Sequence, residues 1–91
     1  MFKTLEELIA VIRQRRDSST GESYTNKLLN NKKLSVEKVK EEIAELIDAI
    51  GKNSNKVHEA ADVLYHLMVL LEVNDIKIED VMDELKKRQK K

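Results

Sequence analysis

Between residues 60 and 71 the apolar side chains cover most of the circumference of a helix, and this run constrains the fold more than any other feature. A helix that is apolar nearly all round has to be central. In a chain of 91 residues, three other helices of ordinary length would struggle to cover it. A second copy of the chain is the natural source of the missing cover. The run contains Asp62 and His66, and at twelve residues it is too short to span a bilayer. Proline is absent, only Gly21 and Gly51 are glycine, and aromatics make up 3%. Few turn-formers beside many Leu, Ile, Glu and Lys residues argue for helices throughout.

The expected fold is all-α: four main helices in an antiparallel hairpin or bundle, completed by homodimerisation, as a single domain over residues 1–91. The first helix is predicted over residues 5–16, with Thr4 and Glu7 as a capping box and Leu5, Leu8, Ile9 and Ile12 as its apolar stripe. After a polar loop around Gly21, Ser23 caps a short helix over residues 24–30 with Leu28 and Leu29 inward. Ser35 is the expected N-cap of the second long helix and Gly51 its terminator. Val36, Val39, Ile43, Leu46, Ile47 and Ile50 recur there at helical spacing on one face. The central helix is expected over residues 56–73, capped by Asn53, Ser54 or Asn55. A last helix from residue 79 onward would turn Ile78, Val81, Met82 and Leu85 inward.

Lys+Arg and Asp+Glu both number 17, so no net charge draws the chain to nucleic acid or to an anionic membrane. Cysteine is absent, which excludes disulfides and thiolate metal sites. The N-terminal segment has acidic residues inside its apolar pattern and does not read as a signal peptide. A soluble cytoplasmic protein with no nucleic-acid or membrane partner is the expectation.

The carboxylates carry the chemistry. Taken alone, Glu41, Glu42 and Glu45 read most plainly as a solvated helix face in a chain that is 37% charged. Glu59 and Asp62 differ, because they share a strip with His66 on the central helix. A carboxylate buried without partners costs several kcal/mol, on the order of the penalty for any desolvated ion, so it must pair, protonate or bind metal. His66, one turn beyond Asp62, is a candidate partner; a salt bridge or a partly exposed strip is the plain structural alternative. The short connection around residues 51–55 makes the two helices antiparallel neighbours, so Glu42 and Glu45 can face Glu59 and Asp62. Four or five carboxylates suit a hard cation such as Mg²⁺, which keeps waters and leaves room for phosphates. Zn²⁺ is less suited, since only His58 and His66 offer nitrogen.

Glu-Glu-x-x-Glu followed after thirteen residues by Glu-x-x-Asp resembles the signature of the MazG-like all-α nucleoside triphosphate pyrophosphohydrolases. Within that superfamily the chain is most similar to the phosphoribosyl-ATP pyrophosphohydrolases of histidine biosynthesis. Ser23-Tyr24-Thr25-Asn26-Lys27-Leu28-Leu29 resembles their Ser-Tyr-Thr-x-x-Leu-Leu segment, and residues 59–71 resemble their central helix. Lys40, Ala44, His58 and the glycine-free residues 30–34 depart from the usual pattern, and none of these removes a presumed ligand. The resemblance implies Mg²⁺-dependent hydrolysis of phosphoribosyl-ATP to phosphoribosyl-AMP and pyrophosphate, the second step of histidine biosynthesis, with Mn²⁺ as a substitute metal. It implies Glu42, Glu45, Glu59 and Asp62 as metal ligands, Glu41 as a further ligand or base, and a homodimer with sites near the subunit interface. A carboxylate not fully engaged with metal, Glu41 or Glu45, can take the proton of the attacking water. Tyr24 can stack on the adenine, while Lys27 or Lys38 can balance phosphate charge, as can Arg13, Arg16 or the basic C-terminal end. Two alternatives stand beside this one: a house-cleaning (d)NTP pyrophosphohydrolase, and a non-catalytic helical dimerisation module.

Overall fold

A computed structural model describes residues 2–17 and 23–89. The loop read around Gly21 and the last two lysines lie outside them. The described residues form five α-helices and no strand: α1 (Lys3–Arg16), the short α2 (Tyr24–Leu29), α3 (Lys32–Lys52), α4 (Lys56–Val73) and α5 (Ile78–Arg88). The all-α expectation holds. Among the described residues, no helix is long and apolar enough to cross a membrane.

α4 is the hub. It packs most extensively on α3 and also against α2 and α1. The core gathers Ile12, Leu28, Met68, Val69 and Val73, with Leu5, Leu8, Ile9, Leu34 and Tyr65 packed against it. Leu28 and Val69 are fully enclosed, and burying such a side chain contributes about 1.5–3 kcal/mol. Ser23 caps α2 as expected, its hydroxyl accepting from the Asn26 amide at 3.1 Å. Asn26 then reaches α1, donating to the Arg15 carbonyl at 2.7 Å.

Several helix ends differ from those predicted. α1 begins at Lys3 with Phe2 as N-cap and no side-chain cap, so Thr4 falls inside the first turn and the capping box does not form. α3 begins at Lys32 because Asn31 caps it, accepting from the Leu34 amide at 3.0 Å. Ser35 is therefore inside the helix, buried, and donates 2.7 Å to the Leu28 carbonyl at the end of α2. The Leu28 carbonyl also accepts from the Asn31 amide at 3.2 Å, so the Ser35 hydroxyl is its second donor and ties α3 to the end of α2. Asn55, one of the three expected caps, begins α4 without a side-chain cap bond.

Gly51 does not end α3. The helix continues to Lys52, and Asn53 takes the left-handed conformation at φ 54°. A Cβ added to Gly51 would meet nothing within 4 Å. Helical glycine costs about 0.5–1 kcal/mol relative to alanine. Gly51→Ala is thus expected to raise the melting temperature by roughly 2–8 °C, a shift readable by thermal denaturation; a fall would mean that the glycine's freedom is needed there.

α5 also departs from expectation. Ile78 and Val81 are half-buried, but Met82 and Leu85 are exposed. The helix is tied to α1 at its start by Arg13, which donates to both Glu79 oxygens at 2.9 and 2.7 Å.

Candidate functional site

The two arms of the α3/α4 hairpin put the acidic motifs opposite each other. Residues three apart lie about one turn apart on one face, so each arm presents a pair: Glu42 with Glu45, and Glu59 with Asp62. Asn53 and Asn55, both at φ 54°, make the tight reversal that brings the arms together. Asparagine tolerates this conformation better than most residues.

Each arm gathers three groups whose ligand atoms lie within 4.8 Å of one another: Glu41, Glu42 and Glu45 on α3, and His58, Glu59 and Asp62 on α4. The arms also sense each other. Burial pushes the Glu42 carboxyl above its ordinary value, helped by Glu45 and Asp62. Burial likewise raises Glu59, helped by Glu45 and Asp62. Glu45 therefore sits between the two, repelling both. One oxygen of Glu42 and one of Glu59 are enclosed and have no protein hydrogen-bond partner. An enclosed carboxylate oxygen left unpaired costs about 1–3 kcal/mol or more. A donor set dominated by carboxylate oxygens, two of them lacking protein partners, fits a hard divalent cation. Beside these groups a cleft of about 240 Å³ opens at the connected end of the hairpin, lined by Glu45, Asp48, Lys52, Asn55 and Glu59.

The remaining predicted residues divide. Glu41 is exposed, with one oxygen 3.5 Å from Lys38 Nζ, and this contact raises the lysine above its ordinary value. Tyr24 borders the cluster, its phenol raised mainly by burial and opposed by Lys38. Lys27 is exposed on α2. Arg13 and Arg16 are engaged elsewhere. Arg13 grips Glu79 and reaches Glu72, while Arg16 holds Glu72 at 2.7 Å and also Asp75. They join α1 to the α4–α5 corner.

Asp62 finds its partner differently from expectation. His66 does not meet the Asp62 carboxylate; its Nδ1 lies 2.9 Å from the Asp62 backbone carbonyl. The carboxylate instead lies 3.3 Å from His58 Nε2. The spacing of four between His58 and Asp62 carried that pairing in the sequence.

The fold and these residues define a class: an all-α protein whose central hairpin carries opposed Glu-x-x-Glu and Glu-x-x-Asp pairs. The chain belongs to the phosphoribosyl-ATP pyrophosphohydrolase family, whose profile matches residues 5–89. It is 42% identical to a phosphoribosyl-ATP pyrophosphatase of Allorhizobium ampelinum, over 93% of this chain and 85% of the relative. It is also 42% identical to one of Clostridium novyi, over 96% of this chain and 82% of the relative. A Pyrococcus furiosus protein named histidine biosynthesis bifunctional protein HisIE is 40% identical over 94% of this chain, which spans 41% of that longer relative.

Proposed function

We propose that this chain is a single-domain enzyme that hydrolyses phosphoribosyl-ATP to phosphoribosyl-AMP and pyrophosphate in histidine biosynthesis. The observation that carries this reading is the pair of enclosed, partnerless carboxylate oxygens of Glu42 and Glu59 on facing helices, in a chain of this family. Glu42, Glu45, Glu59 and Asp62 would hold Mg²⁺, or Mn²⁺ in its place. When bound, the cation neutralises phosphate oxygens and lowers the pKa of the attacking water.

The chain's own groups do the rest. Glu45, between Glu42 and Glu59, repels both, and a cation shared by the three would relieve that repulsion. Glu41, exposed and least engaged with the other arm, is placed to take the proton from the attacking water, with Glu45 as the second candidate. Lys38, beside Glu41 and Tyr24, supplies positive charge near the phosphates, and Tyr24 and Lys27 on α2 contact the substrate beyond them. The working unit is a homodimer. Among the described residues, Val36, Ile43, Ile47 and Ile50 of α3 and Val57 and Leu64 of α4 are large apolar side chains left exposed. An apolar surface of that extent marks an interaction site.

Pyrophosphate release by the purified protein with Mg²⁺, measured on phosphoribosyl-ATP and on a dNTP panel, tests the reading. Turnover confined to phosphoribosyl-ATP is expected. Turnover of dNTPs alone would replace it with the house-cleaning activity.

A further inference from the structure

Both tyrosines of the chain and His66 converge at the turn of α4 that carries Asp62. Tyr24 and Tyr65 stack with ring centroids 6.3 Å apart and 20° between planes. His66 meets both edge-on, at 5.8 and 5.0 Å. Thr25, next to Tyr24, pairs its hydroxyl with that of Tyr65 at 2.5 Å. These contacts pin α2 to α4 beside the carboxylates.

The hydrogen bonds then fix a direction. A backbone carbonyl only accepts, so His66 Nδ1, 2.9 Å from the Asp62 carbonyl, carries the proton. In the neutral ring Nε2 is then an acceptor. Tyr24 Oη lies 3.0 Å from Nε2, and with the ring in that form it donates to it. His66 is 7% exposed and enclosed by both tyrosines, so it has no room to turn away. Tyr24 is 45% exposed, yet its single proton is already committed inward. What its oxygen offers outward is lone pairs alone.

An oxygen that can only accept repels a phosphate and takes a hydrogen-bond donor, and the Lys38 ammonium near it is already paired with Glu41. In a ribonucleotide the donor nearest the phosphates is a ribosyl hydroxyl. We propose that His66 is a positioning residue that sets the Tyr24 hydroxyl as the acceptor for a ribosyl hydroxyl of the substrate, next to the carboxylates that face its phosphates. This rests on the pyrophosphohydrolase reading above, which it deepens by assigning how the sugar is read.

Asparagine and glutamine separate the two ring nitrogens. In His66→Asn the shorter amide can keep the contact to the Asp62 carbonyl but leaves Tyr24 without a partner. In His66→Gln the longer amide can reach the Tyr24 hydroxyl. His66→Asn is expected to raise KM for phosphoribosyl-ATP roughly tenfold, the worth of about one net hydrogen bond, with kcat little changed. Glutamine should restore most of that loss. Tyr24→Phe should match His66→Asn, and the double variant should add nothing further. Inhibition by inorganic tripolyphosphate, which has no sugar, should be the same in all of these proteins. The preference for ADP over 2′,3′-dideoxy-ADP as inhibitor should be present in the wild type and lost in His66→Asn.

Equal behaviour of the Asn and Gln variants would overturn the proposal, as would a fall in kcat at constant KM or weakened tripolyphosphate inhibition. So would nitrogen-15 shifts placing the His66 proton on Nε2. Absence of phosphoribosyl-ATP turnover would defeat only the functional reading. The ring tautomer, and the preference for ADP over 2′,3′-dideoxy-ADP read as direct binding by calorimetry, would still decide the role of His66.

Discussion

Glu59→Gln is expected to lower kcat/KM for pyrophosphate release on the order of 10³-fold, while raising the melting temperature of the metal-free protein at pH 7–8. Both effects have one cause. Burial, Glu45 and Asp62 hold the Glu59 carboxyl above its ordinary value, and burial with Glu45 does the same for Glu42. A carboxyl raised in the folded state contributes stability that is complete below its unfolded pKa and is lost as pH rises through the folded one. In chelator, the wild-type protein should therefore lose stability from the ordinary carboxylate range towards neutral pH. Glu79 acts in the opposite sense. Arg13 holds it at about 2, below the usual 4.5, so its contribution is present above that usual value and disappears as pH falls towards 2. The metal-free melting temperature should peak in mildly acidic solution, and Glu59→Gln should flatten its decline on the neutral side. Mg²⁺ at pH 8 should raise the wild-type melting temperature, and Glu59→Gln or Asp62→Asn should abolish that rise. A wild type indifferent to Mg²⁺ would favour the non-catalytic dimerisation module, in which the carboxylates are only a strained surface.

The members of this cluster were legible in the sequence because helical spacing alone puts Glu42 with Glu45 and Glu59 with Asp62, and the short connection turns the pairs together. The environment around them was less legible. Helix period says which residues share a face but not what stands opposite it. Helical spacing thus sets His66 against the Asp62 side chain, whereas it bonds to that residue's carbonyl and to Tyr24, forty-two positions away. Helix ends failed for a related reason. Serine and glycine are good end signals, but Asn31 and Asn53 competed for the same roles. Ser35 was then free to bond to the Leu28 carbonyl, and Gly51 to remain helical.

The α3 stripe shows a third limit, and it leads to the second prediction. Val36, Val39, Ile43, Leu46, Ile47 and Ile50 fall within an arc roughly 100° wide, so periodicity reads them as one face. The structure divides that arc. Val39 is buried and Leu46 half-buried, on the side towards the α4 arm, while Val36, Ile43, Ile47 and Ile50 are exposed. A sequence pattern has no means of telling cover by the same chain from cover by a second copy. Ile47, 65% exposed, is the sharpest place to ask. A charge introduced there would touch nothing essential in a monomer but would be desolvated, without a partner, in a dimer packed on this face. Ile47→Glu is expected to convert a species of twice 10.5 kDa into one of 10.5 kDa in light scattering, with helical content retained. The expected loss of dimer affinity is roughly 10²-fold or more, on the order of the several kcal/mol carried by an unpaired buried charge. Leu85→Glu on α5 is the control, since it lies on a different apolar surface, beyond the groove that Phe2, Leu5, Ile9, Ile78 and Met82 line between α1 and α5. Dissociation by Leu85→Glu alone would move the interface to that groove. Ile47 points about 160° away from Glu45 on the same helix, so the proposed interface backs the helix that carries the acidic cluster and would steady it from behind. Specific activity should then fall on dilution as the dimer dissociates, and Ile47→Glu should show the low value at every concentration. A variant that is monomeric and fully active would separate catalysis from assembly and leave the carboxylate hairpin of one chain sufficient.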